Sequence, residues 1–150
     1  MDSLIQDLKD EGDNVRSHAI NSLGQIGDEK AVEPLIQVMN DDNERVDVRR
    51  HATWALGEIG DRRALEPLIQ VLEDKEEDNS VRMASIRALA EIEDGRAIEP
   101  LIQAMNDEDE SVRNHAAETL SRIKDGCAVE PFIEALKEDD NNTRIQEFLQ

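Results

Sequence analysis

One seven-residue motif recurs at nearly constant spacing, and it constrains the fold more than any other feature of the chain. It first reads Ala31-Val-Glu-Pro-Leu-Ile-Gln37, and its copies place prolines at 34, 67, 100 and 131, in steps of 33, 33 and 31 residues. A second motif alternates with it, as in Val48-Arg-Arg-His-Ala-Thr-Trp-Ala-Leu-Gly-Glu-Ile-Gly60. A repeat of roughly 20–50 residues is typical of solenoids and related arrays.

Both motifs carry apolar residues at the spacing of an amphipathic helix. In the second motif Val48, Ala52 and Leu56 lie four residues apart, on one face of a helix. No segment alternates apolar and polar residues as a half-buried strand does. The spacing predicts ten helices, at 2–9, 13–26, 29–40, 46–59, 62–73, 79–92, 95–106, 110–123, 126–137 and 141–149.

Glycine, aspartate and proline stand where the ends of these helices require them. Gly27 and Gly60 follow the second motif, at the position of a C-terminal cap, and Asp28 and Asp61 come next as candidate N-caps. Pro34 and its copies fall in the first turns of the first helices, where a missing N–H costs little. A helix that began at Asp28 would be kinked by that proline.

A single helical hairpin cannot bury its apolar stripe, whereas stacked hairpins bury it as one continuous core. We therefore expect an all-α protein, a right-handed α-solenoid of five short hairpins with incomplete ends. It would form one domain over 1–150, with repeats at about 1–27, 28–60, 61–93, 94–126 and 127–150.

The strong negative charge narrows the classes of partner. The chain has 36 acidic and 17 basic residues, for a net charge of −19. Such a surface repels nucleic acids and anionic membranes, which are bound by neutralising phosphate, so we expect no nucleic-acid or membrane partner. A protein partner, and a basic one in particular, is electrostatically favoured.

The sequence also bears on the compartment. It contains no apolar run near the ~20 residues of a membrane span and no signal-peptide pattern at its start. Cys127 is the only cysteine, so an intrachain disulfide is impossible and a reducing cytoplasm is expected.

The two motifs together resemble the short HEAT-like repeat of the phycobilin lyase type, over essentially the whole chain. The resemblance implies an α-solenoid. It implies no single activity, because chromophore lyase subunits, deoxyhypusine hydroxylase and many binding proteins share the repeat. The alternative to a binding scaffold is therefore an enzyme or enzyme subunit related to the lyase or hydroxylase branches.

One arginine column is present in every copy of the second motif, and a residue present in every copy is expected to serve stacking. The resemblance implies that this arginine bridges repeats through loop acids, for which Asp41, Asp74 and Asp107 are candidates. The column consists of Arg16, Arg49, Arg82, Arg113 and Arg144.

Other columns of the second helices vary, and these helices usually line the concave binding face of a solenoid. Trp, Arg and Met are enriched at interface hot spots. Trp54 has an alternative role as peripheral core, folded over the boundary between repeats. We predict a partner-binding surface of Arg50, Trp54, Met83 and Arg87, flanked by Asn21 and Glu118.

A histidine column is the strongest enzymatic signal. His18, His51 and His115 share one position of the second motif, two of them two repeats apart, too far to bind one metal ion together. The hydroxylase family has His-Glu pairs at these columns, whereas here Arg50-His51 and its equivalents lack the Glu and place the His one position late. We therefore predict no catalytic residues, no metal and no cofactor.

The acidic loops and the end of the chain carry the remaining hypotheses. Asp107, Asp109, Ser111 and Glu118 match several calcium-loop positions, but Val112 stands where that loop needs Gly, so the loops are interpreted as solvated caps. The last helix, with Ile145, Phe148 and Leu149, could stack on a second copy, which would make the chain a structural piece of an assembly.

Overall fold

The structure is a computed structural model that describes residues 2–9 and 12–125. The helices predicted at 126–137 and 141–149, with Cys127, Arg144 and the proposed self-association surface, lie outside these residues. Within them every helix predicted from the sequence is present, and there is no strand. The α-helices are α1 (Asp2–Asp7), α2 (Asp13–Ile26), α3 (Val32–Met39), α4 (Val46–Ile59), α5 (Leu65–Glu73), α6 (Asn79–Ile92), α7 (Ile98–Ala104) and α8 (Glu110–Asp125).

The first helices of the repeats begin differently from the sequence expectation. The predicted helix over 29–40 is a 3-10 turn, Glu29–Ala31, followed by α3, and the same turn precedes α5 and α7. The carboxylate of Asp28 accepts a hydrogen bond from the backbone N–H of Lys30 at 2.9 Å, which confirms it as an N-cap. Pro34 then occupies the third position of α3, where no intrahelical donor is lost.

The second helices α2, α4 and α6 end in a left-handed residue. Gly27 and Gly60 both have φ of 72°, and their N–H groups donate to Leu23 O and Leu56 O at 3.1 Å. Glu93 holds the same place after α6, with φ of 58°, although its side chain makes that conformation unfavourable. The glycine caps predicted from the sequence are therefore confirmed, and the third repeat departs from them.

Helices of neighbouring repeats stack in two rows around one aliphatic core. In the row of second helices, α4 lies between α2 and α6, and α6 contacts α8. The closest approach is at Gly57, where an added Cβ would lie 2.7 Å from the Cα of Ala88. The fully buried core side chains include Ile20, Leu23, Leu35, Leu56, Leu68, Ile86, Leu89, Ile98 and Leu101. The protein is therefore an α-solenoid.

None of the helices in the described ranges has the length and apolar character needed to cross a membrane.

Candidate functional site

Three arginines of the column connect a second helix to the acidic loop of the next repeat. Arg16 on α2 donates from Nε and Nη2 to the two carboxylate oxygens of Glu44, both at 2.7 Å. Arg49 on α4 donates from Nη1 to both oxygens of Glu77, at 2.6 and 2.7 Å. All four side chains are about 9–12% exposed, so these charge-assisted bonds are largely shielded from water.

The third arginine makes a more buried version of this contact. Arg82 donates to both carboxylate oxygens of Asp107, at 2.6 and 3.1 Å, and to the carbonyl of Leu72. Lys75 also donates to Asp107. The side chains of Arg82 and Asp107 are 3% and 1% exposed. The hydrogen bonds from Arg82 lower the pKa of Asp107 well below its usual range, and Lys75 adds to this shift against the effect of burial.

Of the three predicted acceptors, Asp107 is confirmed, whereas Asp41 and Asp74 are wrong. Loop length explains the change, because Asp41 and Asp74 precede the next arginine by eight residues and Asp107 precedes it by six. In the longer loops the first Asp binds a backbone N–H two residues on, at 2.9 Å for Asp41, and the glutamate three residues later meets the arginine. Arg113 instead donates to backbone carbonyls of its own loop.

The variable columns form a separate surface on α4 and α6. Trp54 is 41% exposed, and the guanidinium of Arg50 lies over its ring, 5.7 Å from the centroid. The imidazole of His51 lies on the same ring system, with ring centroids 6.0 Å apart. Trp54 is therefore supported from its own helix by two neighbouring side chains and presents the rest of its indole to the exterior.

Two depressions adjoin Trp54. One encloses about 210 Å³, and the other encloses about 190 Å³. Trp54 and Arg87 line both of them, so these two side chains stand at the shared wall. The first is lined by Arg50, Trp54, Ser80, Met83, Ala84, Arg87 and His115, and the second by Trp54, Glu58, Arg87, Ala88 and Glu91. We call these the basic depression and the acidic depression, and the two together the Trp54 patch.

The two arginines of this patch are less engaged than those of the arginine column. Arg50 Nε is buried and finds no hydrogen-bond acceptor among the described residues, and Asp47 lies 3.8 Å from its Nη2. Arg87 is 64% exposed and lies 3.5 Å from a carboxylate oxygen of Glu91. Exposed ion pairs of this kind contribute little free energy, so both guanidinium groups can exchange their partners.

The structure brings together four of the six residues predicted for partner binding. Arg50, Trp54, Met83 and Arg87 all line the basic depression. Asn21, exposed on α2, lines neither depression.

Glu118 on α8 also lies outside both depressions. It accepts a hydrogen bond from Arg122 at 2.8 Å, which lowers its pKa. The contributions of His115, Glu58 and Glu91 were not predicted, although the two glutamates share a variable column one helical turn beyond Trp54.

The histidines are distributed rather than gathered. His18 is exposed on α2, His51 packs on Trp54, and His115 lines the basic depression. Over residues 2–9 and 12–125 no three side chains of His, Cys, Asp or Glu are grouped so that they could hold a metal ion.

The acidic loops act as local caps where the structure describes them. Asp78 accepts hydrogen bonds from the hydroxyl and the backbone N–H of Ser80 at the start of α6, and these bonds lower the pKa of Asp78. Asp109 accepts from the N–H of Val112 and from the side-chain amide of Asn79 in the preceding repeat. Their carboxylates thus complete helix ends and loops.

Comparisons with known proteins agree with this architecture, which is that of an α-solenoid repeat protein. The family of HEAT repeats matches residues 1–79 and 65–150, so the two matches together span the chain. The chain belongs to this family of HEAT repeats.

The solved structures that are similar to the chain include an enzyme, a lyase complex and a designed protein. Human deoxyhypusine hydroxylase in complex with glycerol aligns with a TM-score of 0.74, at 26% identity over 82% of this chain and 43% of that one. The complex of CpcE and CpcF of phycocyanin lyase from Nostoc sp. PCC7120 gives 0.64, at 24% identity over 97% and 60%. A designed armadillo repeat protein gives 0.57, at 22% over 89% and 69%. The chain spans about half the length of the first two, and no curated protein matches its sequence.

Proposed function

We propose that this protein is a scaffold or adapter that binds a protein partner on the face of its second helices, with the Trp54 patch at the centre. One observation carries the proposal: a partly exposed Trp between two depressions, supported by Arg50 and bordered by Met83 and Arg87. Trp and Arg dominate interface hot spots because they combine a large apolar area with directional donors.

The repeat pattern supports the same assignment. Three arginines of the recurring column, Arg16, Arg49 and Arg82, hold neighbouring repeats together through acids of the next loop. By contrast, Arg50, Trp54, Met83 and Arg87 each occur once in their columns. A position freed from stacking can be adapted to a partner, which is how solenoids use their extended surfaces.

Charge supports a protein partner over a polyanion. With a net charge of −19 the chain repels phosphate-rich surfaces and attracts a basic protein at long range. We keep the cytoplasm as the proposed compartment, on the single Cys127 and the reducing environment that it suggests.

A catalytic role is the second candidate, favoured by the similarity to human deoxyhypusine hydroxylase. We propose binding instead, because the columns that hold His-Glu pairs in that family read Arg50-His51 and Asn114-His115 here. The whole-protein activities of the hydroxylase and the lyase also belong to chains about twice as long as the shared region.

An affinity capture from an extract of the source cells tests the binding role. The wild type, the double variant Trp54→Ala with Arg87→Glu, and a matched control would be immobilised at equal density. The control, Ile26→Ala with Arg62→Glu, removes an exposed apolar side chain and reverses an exposed arginine outside the patch. Bound proteins are identified by mass spectrometry, and metal content is measured on the same preparations.

The binding role predicts a protein retained by the wild type and the control and lost from the Trp54→Ala, Arg87→Glu variant, and its affinity for the purified protein should fall about thirtyfold or more. Equal retention by all three proteins contradicts the Trp54 patch. Stoichiometric iron bound to the wild type would support the enzyme instead.

A further inference from the structure

The chemistry of the Trp54 patch changes in order along the second helices. Near the starts of α4 and α6 lie Arg50 and Met83, with His115 of α8 beside them. One helical turn further on come Trp54 and Arg87. After another turn come the glutamates of the acidic depression, Glu58 and Glu91. A bound segment therefore meets donors and sulfur on one side of the indole and carboxylates on the other.

We propose that the segment bound here carries an acidic side chain next to a large apolar side chain. The apolar group packs against Trp54 and Met83, and the carboxylate binds the guanidinium groups of Arg50 and Arg87. This inference rests on the proposed function and adds the chemistry of the partner to it.

The state of the two arginines supports a carboxylate ligand. A guanidinium presents a planar fork of donors that matches a carboxylate, and the acids beside Arg50 and Arg87 lie at 3.8 and 3.5 Å. Asp47, the neighbour of Arg50, is 59% exposed, so it competes weakly. A ligand carboxylate held in place by an adjacent apolar contact would form bidentate hydrogen bonds with these arginines. It would displace only the weak ion pairs with Asp47 and Glu91, at little cost in free energy.

The volume of the basic depression and the negative charge around it limit the ligand to a single acidic side chain. The basic depression, at about 210 Å³, has room for roughly one apolar side chain and one carboxylate beside it. Glu58 and Glu91 border the neighbouring depression, and the chain as a whole is acidic, so a run of acids or a phosphate polymer would be repelled. A partner that is basic overall can approach by long-range attraction and still present one acidic and apolar pair to the patch.

Random dodecapeptides displayed on phage provide a probe that assumes no partner. The full chain is immobilised, and peptides that also bind the Trp54→Ala variant are removed by counter-selection. We expect the remaining peptides to be enriched in Asp or Glu within one helical turn of Leu, Ile, Phe or Met, and depleted of runs of Lys or Arg.

The affinities of a selected peptide then test which side chains bind its acid. The double variant Arg50→Glu with Arg87→Glu should bind it at least about tenfold more weakly, since each charge-assisted pair is lost. The control variant Lys30→Glu with Arg62→Glu makes the same change in net charge at exposed sites outside the patch and should bind it unchanged. A peptide with Lys in place of its acid should regain binding to Arg50→Glu, Arg87→Glu.

The outcomes separate the two levels of the proposal. Selected peptides that depend on Trp54 but are basic or neutral would contradict the acidic ligand. So would peptides that bind the Arg50→Glu, Arg87→Glu variant as tightly as the wild type. Either result would still support the binding face. If no peptide depends on Trp54, the proposed function fails together with the inference. Circular dichroism and thermal melts of each variant establish that a loss of binding is not a loss of folding.

Discussion

Arg49 and Arg50 are adjacent in sequence, yet they belong to two regions with different purposes. Arg49 recurs in every repeat and donates to Glu77 of the next repeat. Arg50 has no counterpart in its column, lies over Trp54 and has Asp47 of its own helix nearby, at 3.8 Å. The contrast teaches that in a repeat protein the copies themselves separate groups that hold the stack together from groups that are free to bind.

The largest effect should come from the most buried arginine of the column. Arg82→Ala leaves Asp107 buried without its main partner and should lower the free energy of unfolding by about 3–5 kcal/mol. Arg49→Ala, at a more exposed pair, should cost about 1.5–3 kcal/mol. Arg50→Ala should cost about 0.5–1 kcal/mol, the range of an exposed cation–π contact.

Urea unfolding followed by circular dichroism measures all three, with the slopes compared as well as the midpoints because repeat arrays can unfold in parts. An Arg50→Ala variant as unstable as Arg49→Ala would remove the distinction between the two regions.

Asp107 and Asp74 occupy the same column, so replacing each by Asn tests the effect of loop length. Asp107→Asn should destabilise by about 2–4 kcal/mol, since it weakens the bonds from Arg82 and Lys75 in a buried site. Asp74→Asn affects one exposed bond, to the N–H of Glu76, and should cost below about 1 kcal/mol. Equal losses of unfolding free energy would show that Asp74 and Asp107 contribute equally to stability and would contradict the effect of loop length.

The same pair of variants predicts a difference in acid stability. The pKa of Asp107 is lowered in the folded state, chiefly by Arg82, so its contribution is fully present above the unfolded value of about 4 and is lost as the pH falls below it. Asp107→Asn should therefore have a shallower fall in stability between about pH 4 and pH 2 than Asp74→Asn. The slope should not vanish, because Asp61, Asp78 and Asp94 also have lowered pKa values.

Gly57 tests the packing of the helices that carry the Trp54 patch. Gly57→Ala places a methyl group 2.7 Å from the Cα of Ala88, so α4 and α6 must separate, at a cost of about 1–3 kcal/mol. Gly24→Ala meets the Cβ of Ala55 at 3.1 Å and should cost less. Thermal melts compare the two, and an equal or reversed order would contradict the close approach at Gly57.

The smallest effect is expected at Glu93, the residue that replaces the glycine cap. Glu93→Gly should stabilise the protein by about 0.5–1 kcal/mol, because glycine adopts a φ of 58° without steric cost. Gly60→Ala at the equivalent cap should destabilise by a similar amount. A destabilising Glu93→Gly would mean that the glutamate side chain makes a contribution that outweighs the backbone strain.

The sequence predicts the fold well because the periodic features are redundant. Helix positions, the aspartate N-caps and the glycine C-caps each appear several times, so a chance match at one copy is outweighed by the others. The 3-10 turns were not predicted, because their sequences continue the apolar spacing of the helices that follow. Only the hydrogen bonds of the capping aspartates distinguish these turns from the α-helices.

The site was predicted less completely, because its features occur once. Column comparison identified Arg50, Trp54, Met83 and Arg87, which do line one depression. It could not show that His115 reaches the same depression from α8, because that depends on how neighbouring helices stack. The arginine acceptors failed for a related reason, since two residues of loop length move the acceptor from Asp to Glu.

The most direct test of the binding face is the dissociation constant of the captured partner for Trp54→Ala, measured by titration calorimetry beside the melting temperature of the same preparation. The Trp54 patch predicts a dissociation constant about thirtyfold or more above that of the wild type, with the melting temperature nearly unchanged because Trp54 is partly exposed. An unchanged dissociation constant would contradict the central claim and assign Trp54 to the support of its own helix alone.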